Sequence, residues 1–389
     1  MRTFRQIGVV TALNIRNLPQ RFWSSLVIVV GMACVVAVLL SMLSFIAGQV
    51  SAFASTADPQ RVLITSKDSA SEQQGNIPRA SIPLIMDAPG IMKYKDGTPF
   101  ADGSALTNVP LTRTDNGLTG SVVLRGFGAK GMPLRPEIKI TEGRIYQSGK
   151  RELIVGVGAR SQYVGLKLGQ KIAMPDGEWP IVGIFDSHGT TFDGNLIADA
   201  EPVLSSIRHN YFNGVLLRLD PANGSFEKLK AALTSNPALS LLVERHTEYY
   251  ARVNQQFAPI RMIAYFVGGI MAFGALFGAL NTMYAAVSNR TREIATLRAL
   301  GFGAFPVAVS VMAESIVLAV TGGLIGIAIA YLLYNGSESL SGANYFHLAV
   351  TPALMWLGLT WTIVIALIGG LFPSIRAARL PIATGLRAT

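Results

Sequence analysis

Charge is scarce in this 389-residue chain: Asp, Glu, Lys and Arg together make up 14% of it, against about 25% in an ordinary soluble domain. With 50% hydrophobic residues and a mean hydropathy of +0.40, that shortage excludes a purely soluble protein and a disordered chain. Cysteine is almost missing. The single Cys34 falls in the first apolar run, which rules out an intramolecular disulfide and a disulfide-stapled secreted module. The phosphate-cradling pattern G-x-x-x-x-G-K-[ST] is absent. Gly126-Phe127-Gly128-Ala129-Lys130-Gly131 and Gly156-Val157-Gly158-Ala159-Arg160 are glycine-rich, but neither places a Lys-Ser/Thr pair after its glycines, and tight turns account for both. The four histidines, at 188, 209, 246 and 347, have no H-x-x-x-H or C-x-x-C spacing, so no metal site is assembled. His188 and Asp193 fit a solvated loop. No G-x-S-x-G accompanies the serines, so a hydrolytic triad is unsupported. Nothing in the chain reads as catalytic, and it is taken as a non-enzyme.

What is abundant is uninterrupted apolar sequence. Residues 22–57 carry no charge and are most apolar over 26–47; 262–289 form a second run, 305–334 a third broken only by Glu314, and 352–373 a fourth. Each holds at least about 20 apolar residues, enough to cross a ~30 Å hydrocarbon layer as a helix. Pro306 and Pro352 suit first helical turns, and Pro373 marks the expected end of the fourth span. A signal peptide is the competitor for the first run, with Ala52-Phe53-Ala54 as a cleavage-like site. The run exceeds a 7–15-residue h-region and 21 residues precede it, which favours a retained anchor.

Residues 48–258 differ in composition. They hold 22 of the 33 Lys+Arg and 20 of the 23 Asp+Glu, which leaves 11 basic and 3 acidic residues elsewhere. Arg2, Arg5, Arg16 and Arg21 precede span one; Arg290, Arg292 and Arg298 separate spans two and three; Arg376, Arg379 and Arg387 follow span four. The connection at 335–351 has no basic residue and contains Glu338. By the positive-inside rule both termini and the 2–3 loop lie in the cytoplasm and the long insert outside. The +10 net charge is thus a topology signal, not a nucleic-acid footprint. The insert reads as mixed α/β, with short strands at 61–65, 121–124, 152–155, 179–184 and 215–219 and a helix at 225–234. Residues 75–120, rich in Gly, Pro, Thr, Asp and Asn, give little to place.

The fold class that follows is an α-helical membrane protein of four transmembrane helices, with a large α/β domain inserted between helices 1 and 2. Its expected parts are an amphipathic cytoplasmic helix at 1–24, helix 1 at 25–47, the extracytoplasmic domain at 48–258, helix 2 at 261–288, a cytoplasmic loop-helix at 289–304, helix 3 at 305–334, an external loop at 335–351, helix 4 at 352–373 and a tail at 374–389. Gly274 and Gly278 in span two, and Gly322, Gly323 and Gly326 in span three, form G-x-x-x-G patterns that let helix backbones approach closely. Packing inside one bundle and packing between two copies both fit. Glu314 needs a partner, water or the headgroup region, because an ionised carboxylate in a bilayer costs about 2.5–3.5 kcal/mol. In the 2–3 loop, Ile294, Leu297 and Leu300 share a helical face flanked by Glu293 and Arg298, with Gly301 and Pro306 as its stop. Such a helix can lie on the membrane surface or dock on a cytoplasmic partner.

Asn281-Thr282-Met283, Val287, Arg290-Thr291-Arg292-Glu293-Ile294, Leu297-Arg298-Ala299-Leu300-Gly301, Glu314 and Gly322-Gly323-x-x-Gly326 together resemble the signature of FtsX/MacB-like ABC transporter permeases. The tail, Phe372-Pro373-Ser374-Ile375-Arg376-Ala377-Ala378-Arg379-Leu380-Pro381 and on to Leu386-Arg387, is similar to the family's P-x-R-A-A-R-x-x-P pattern. Within the insert, Gly143-Arg144, 152–156, 165–172 and 182–184 resemble the family's extracytoplasmic core domain; 50–120 carry no matching motif. The resemblance implies a permease dimer, homodimeric or heterodimeric, in the inner (cytoplasmic) membrane. Two copies of a separate cytoplasmic ATPase that binds ATP and Mg would drive it, leaving no cofactor in this chain. It makes Arg290, Arg292, Glu293, Ile294, Leu297, Arg298, Leu300 and Gly301 the coupling candidates. It also implies mechanotransmission to the ectodomain, and efflux with a membrane-fusion adaptor and outer-membrane channel. Lipoprotein release and FtsX-like control of a cell-wall hydrolase are the alternatives.

Overall fold

The computed structural model describes residues 6–8, 10–12, 22–222, 224–236, 239–341 and 344–381. Arg2, Arg5, Arg16, Arg21, Leu386 and Arg387, and with them most of the expected helix at 1–24, lie outside the described residues. Among the described residues four helices are long and apolar enough to cross a membrane, and in sequence a mixed α/β domain stands between the first and second. The chain divides into two compact units. One is helical, comprising 1–47, 259–337 and 349–389; the other comprises 48–258 together with 338–348.

The first helix, α1 (Phe22–Thr56), runs well past residue 47, where the membrane segment was expected to end. Falling hydropathy marks the edge of the apolar layer, whereas a helix ends only where its backbone is stopped. Residues 48–56 contain no proline, and Ala52, Phe53 and Thr56 are buried in the ectodomain unit. There follow β1 (Arg61–Ser66), β2 (Ile77–Pro78), α2 (Ile82–Met86), β3 (Ala101–Thr112), β4 (Thr119–Phe127), β5 (Lys139–Gly143), β6 (Leu153–Gly156), α3 (Val157–Gln162), β7 (Lys171–Met174), β8 (Gly177–Asp186), β9 (Leu196–Asp199), α4 (Ala200–Ser206), β10 (Tyr211–Phe212), β11 (Gly214–Arg218), α5 (Phe226–Thr234), β12 (Leu241–Arg245) and α6 (His246–Gln255).

Ten of these strands form one sheet in the order β12-β1-β11-β3-β4-β9-β6-β8-β5, with β7 added on β8. The pairs β4–β9 and β6–β8 are parallel, and α3 lies within the β6-to-β8 crossover. Strands β6 and β9 are buried along their whole length, as continuous apolar runs inside a sheet should be. One core gathers Leu124, Val155, Trp179, Ile184 and Val203; another gathers Val62, Ile64, Leu217, Leu229 and Val243. Strand β3 escaped sequence reading because Asp102, Gly103, Ser104, Asn108 and Pro110 all have poor strand propensity. Pairing with β11 and β4 on either side overrides it.

The helical unit continues with α7 (Ala258–Asn289), α8 (Thr291–Ala299), α9 (Ala304–Tyr334) and α10 (Pro352–Arg379). Between α9 and α10 the expected plain loop is a hairpin, β13 (Glu338–Ser341) with β14 (Asn344–His347), and it belongs to the ectodomain unit. Helix α10 does not stop at Pro373 but continues through it to Arg379. Proline removes one N–H at that turn, and inside packed apolar helices the freed groups are satisfied locally. The carbonyl that loses its donor is that of Gly369, four residues back, while Gly369 itself packs on Leu276 of α7 and Gly370 on Ser315 of α9.

Candidate functional site

The 2–3 loop folds as a corner between α7, α8 and α9. Arg290 sits at the bend, its carbonyl accepting the N–H of Ile294 at 2.9 Å to open α8. Its guanidinium turns into the helical unit, where Nη1 donates to Glu314 Oε2 at 2.7 Å and Nη2 to Oε1 at 3.2 Å. Both side chains are only 5% exposed. Glu314 thus finds its partner in the loop sequence 24 positions upstream. Sequence reading placed both residues and did not join them; the signal was a lone buried anion with a cation at the nearest loop. Removing one member of such a pair strands a charge and costs about 3–5 kcal/mol, so the pair fixes the corner to the third turn of α9. Val10, Met283, Val287, Ile294, Leu297, Val307 and Val311 surround it, with Glu293 at the rim of the small cavity there. Arg290, expected among the coupling residues, is thus buried at the corner itself.

Helix α8 divides its candidates. Ile294 and Ala295 are buried, Leu297 and Arg298 half-buried, and Arg292, Glu293 and Thr296 exposed. Leu300 was expected on the apolar face with Ile294 and Leu297, yet it is 72% exposed. The helix ends one residue earlier, at Ala299. Gly301 adopts φ +95° and donates its N–H to Arg298 O, while Phe302 N–H reaches Leu297 O. These two bonds are a Schellman C-terminus, which favours glycine at the left-handed position and turns Leu300 outward. Arg298 Nη1 donates to the carbonyl of Leu380 just after α10. Arg376 stacks over the Tyr284 ring, 5.4 Å from its centroid. One face of α8 is therefore tied to α7, α9 and α10, and the other offers Arg292, Glu293 and Leu300.

The two G-x-x-x-G patterns behave differently. A Cβ on Gly322 would lie 2.4 Å from Val29 O, and one on Gly326 2.6 Å from Ala33 O, so both glycines admit the backbone of α1. Gly323 admits Thr362 of α10, whose Oγ1 would be 2.5 Å away. Gly274 and Gly278 of α7 have nothing within 4 Å. Among the described residues, no backbone or side chain is seated in either of these two notches.

The remaining motifs are structural. Gly128 and Gly131 make room for the Asp102 carboxylate, and Gly156 for the backbone of Asp193. Asp193 accepts hydrogen bonds from Ser187 N, Ser187 Oγ and Gly189 N, and His188 is exposed beside Asp186. Among the described residues no group of three or more His, Cys, Asp or Glu could hold a metal ion.

Among the described residues, four apolar helices and a mixed α/β insert define a multi-pass membrane protein. The family model of the MacB-like periplasmic core domain matches residues 24–235, more than half of the chain, and that of the FtsX-like permease C-terminal matches 265–382. The chain belongs to the MacB/FtsX-like ABC transporter permeases. It is 26% identical over 261 residues to an uncharacterized ABC transporter permease of Methanocaldococcus jannaschii, covering 63% of this chain and 65% of that protein. It is 26% identical to the macrolide export ATP-binding/permease protein MacB of Vibrio parahaemolyticus over 44% of this chain and 26% of that one. To the uncharacterized permease YknZ of Bacillus subtilis it is 31% identical, over 32% of this chain and 29% of the relative. The chain thus spans less than two thirds of the length of each. The periplasmic region of MacB from Actinobacillus actinomycetemcomitans aligns with 50% of this chain and 92% of its own at 11% identity and TM-score 0.38.

Proposed function

We propose that this protein is the membrane subunit of an ABC-type exporter in the cytoplasmic membrane, worked by a separate cytoplasmic ATPase. In this reading both termini and α8 face the cytoplasm, and movement of the helices is passed to the extracytoplasmic domain, which handles cargo outside. The observation that carries it is the corner at Arg290. A short helix with an exposed face of Arg292, Glu293 and Leu300 is joined to α9 through a buried ion pair. A push on that face is transmitted because the corner is held at the Arg290 bend, by the Glu314 pair and by Arg298 on Leu380. The membrane segments supply no chain of ionisable groups for a polar path: Glu314 is the one acidic residue within them and it is already paired. Force transfer suits such a bundle better than conduction does.

The test is purification of the tagged full chain from its native membrane, identification of the co-purifying ATPase, and measurement of ATP turnover by the reconstituted complex. Glu293→Ala and Leu300→Asp should each lower coupled turnover at least about tenfold, as loss of about 1.4 kcal/mol or more of interface free energy would. Absence of any ABC ATPase from the purified complex would refute the reading.

A further inference from the structure

The hairpin between α9 and α10 is inserted into the ectodomain unit, and the fit is specific. Tyr345 is 1% exposed. A Cβ on Gly158 of α3 would lie 2.5 Å from the tyrosine Cζ, and one on Gly194 would lie 2.3 Å from its Cβ. Any side chain at either position would expel the ring. Gly48 makes a third recess, since its Cβ would lie 2.2 Å from His347 O. At the hairpin's base Ser161 Oγ donates to Glu338 Oε2 at 2.5 Å, and Glu338 pairs in register with His347. The pocketed phenol is buried beside the Glu338 carboxylate, and both burial and that charge push its pKa up.

The hairpin abuts a loop, 187–195, that is itself braced from within. Its carboxylate hub is Asp193, and Asn195 O accepts the N–H of Gly156 at 3.0 Å. The end of α1 grips the same loop, where Thr191 N–H donates to Thr56 Oγ1 at 3.1 Å. On its far side Phe192 stands edge-on to Phe127, and the Arg125 guanidinium lies over its ring, 5.4 Å from the centroid. Arg125 in turn holds Glu72 at 2.8 Å. The links from the hairpin to the helices are short: three residues follow Tyr334 and four precede Pro352. An extended chain reaches only about 3.3–3.6 Å per residue, so neither link can take up a large displacement.

We propose that the hairpin 338–347 is a clasp through which movement of α9 and α10 enters the ectodomain. Tyr345 in the Gly158–Gly194 notch is its positioning residue, and the loop 187–195 is the receiver. This rests on the transmission reading above. It deepens that reading by naming a second route beside the continuous helix α1.

Two measurements of backbone amide exchange test it. In the full chain in lipid nanodiscs, Tyr345→Ala should speed exchange in 187–195 and 157–162 by about tenfold or more while leaving β1 and β12 unchanged. Tyr345→Phe, which keeps the ring, should stay near wild type. Gly158→Ala raises helix propensity yet displaces the ring, so it should reproduce Tyr345→Ala. Exchange at 187–195 unaltered by Tyr345→Ala overturns the clasp. In the complex with its ATPase, a non-hydrolysable ATP analogue should alter exchange in α8 of every variant. The accompanying change at 187–195 should appear in wild type and Tyr345→Phe and vanish in Tyr345→Ala. A loop that still follows nucleotide in Tyr345→Ala refutes the clasp and leaves the transmission reading standing. An α8 blind to nucleotide in wild type refutes the transmission reading itself.

Discussion

Helices α7 and α9 are almost the same length, 32 and 31 residues, neither has an acidic residue in its first turn or a basic one in its last, and each carries G-x-x-x-G. Their surroundings are opposite. Along α9, Gly322, Gly323 and Gly326 are filled by α1 and α10, and Ser310, Glu314 and Ser315 are buried with them. Along α7, no atom of the described residues lies within 4 Å of a Cβ at Gly274 or Gly278, and Phe266, Ile270, Phe273 and Phe277 are exposed. A small-residue spacing therefore states that a backbone can come close, not that one does. What makes α9 central is the combination of glycine notches with a buried charge that must be answered.

The strongest way to break this comparison is to remove that charge's answer. Arg290→Met alone should destabilise the helical unit by about 3–5 kcal/mol, because it takes the guanidinium away from the buried Glu314 carboxylate. Arg290→Met with Glu314→Leu should recover most of the loss, since an apolar pair of similar volume replaces both desolvation penalties. Thermal unfolding of the full chain in detergent measures it. Equal stability of the single and double variants would mean that the pair does not hold the corner.

Next in size is the notch. Gly326→Ala places a methyl 2.6 Å from Ala33 O and 2.9 Å from Val36 Cβ, and overpacking of that kind costs about 1–3 kcal/mol. The same thermal assay should register it, and an unchanged midpoint would show that α1 yields.

How much of this was readable in advance follows the same division. Apolar runs and the segregation of charge reveal four helices and a polar insert, because bilayer thickness dictates helix length and a domain in water needs charged surface. They do not reveal that α1 continues to Thr56, since a helix crossing from lipid to protein changes solvent without changing conformation. They do not reveal that Pro373 is interior, because packing against neighbouring helices decides whether one lost hydrogen bond ends a membrane helix. The hairpin at 338–347 was invisible for a related reason: Tyr345 is placed by Gly158 and Gly194, more than 150 residues upstream, and no local propensity encodes such a fit. In α8 the residue types were legible and their directions were not. Gly301 was seen as a stop, but the exact turn at which the helix ends decides whether Leu300 faces in or out.

The ectodomain buries titratable groups by other means, which sharpens the contrast with the paired Glu314. His246 is 4% exposed, and burial together with the nearby Arg61 charge lowers its pKa from 6.5 to about 3; it stays neutral and accepts the N–H of Asp58. Asp102 is 5% exposed, and burial, outweighing Arg135, raises its pKa from 3.8 to about 6. Below pH 6.5 the unfolded chain protonates His246 and the folded chain does not, so acidification weakens the fold through this residue. Between about pH 6 and 4 the folded chain protonates Asp102 and the unfolded chain does not, so acidification strengthens it through that one. Each contributes up to about 1.4 kcal/mol per pH unit, with opposite sign. Relative to wild type, His246→Asn should therefore gain stability, and Asp102→Asn should lose it, as pH falls from 6 to 4. Parallel pH profiles for all three proteins would contradict the assignment.

The smallest effect belongs to α7, and it decides what its open glycines are for. Gly274→Ala adds a methyl where no atom lies within 4 Å. In a helix interior alanine is favoured over glycine by up to about 1 kcal/mol, so the isolated chain should unfold at the same temperature or slightly higher. A second copy seated on the α7 face would need that notch, and in that case the same substitution should weaken self-association while the chain itself is undamaged. Sedimentation of the detergent-solubilised protein reads the association, and thermal unfolding at high dilution reads the chain. A Gly274→Ala protein less stable at dilution than its parent would mean that α7 is packed within the chain after all, and the difference from α9 would disappear.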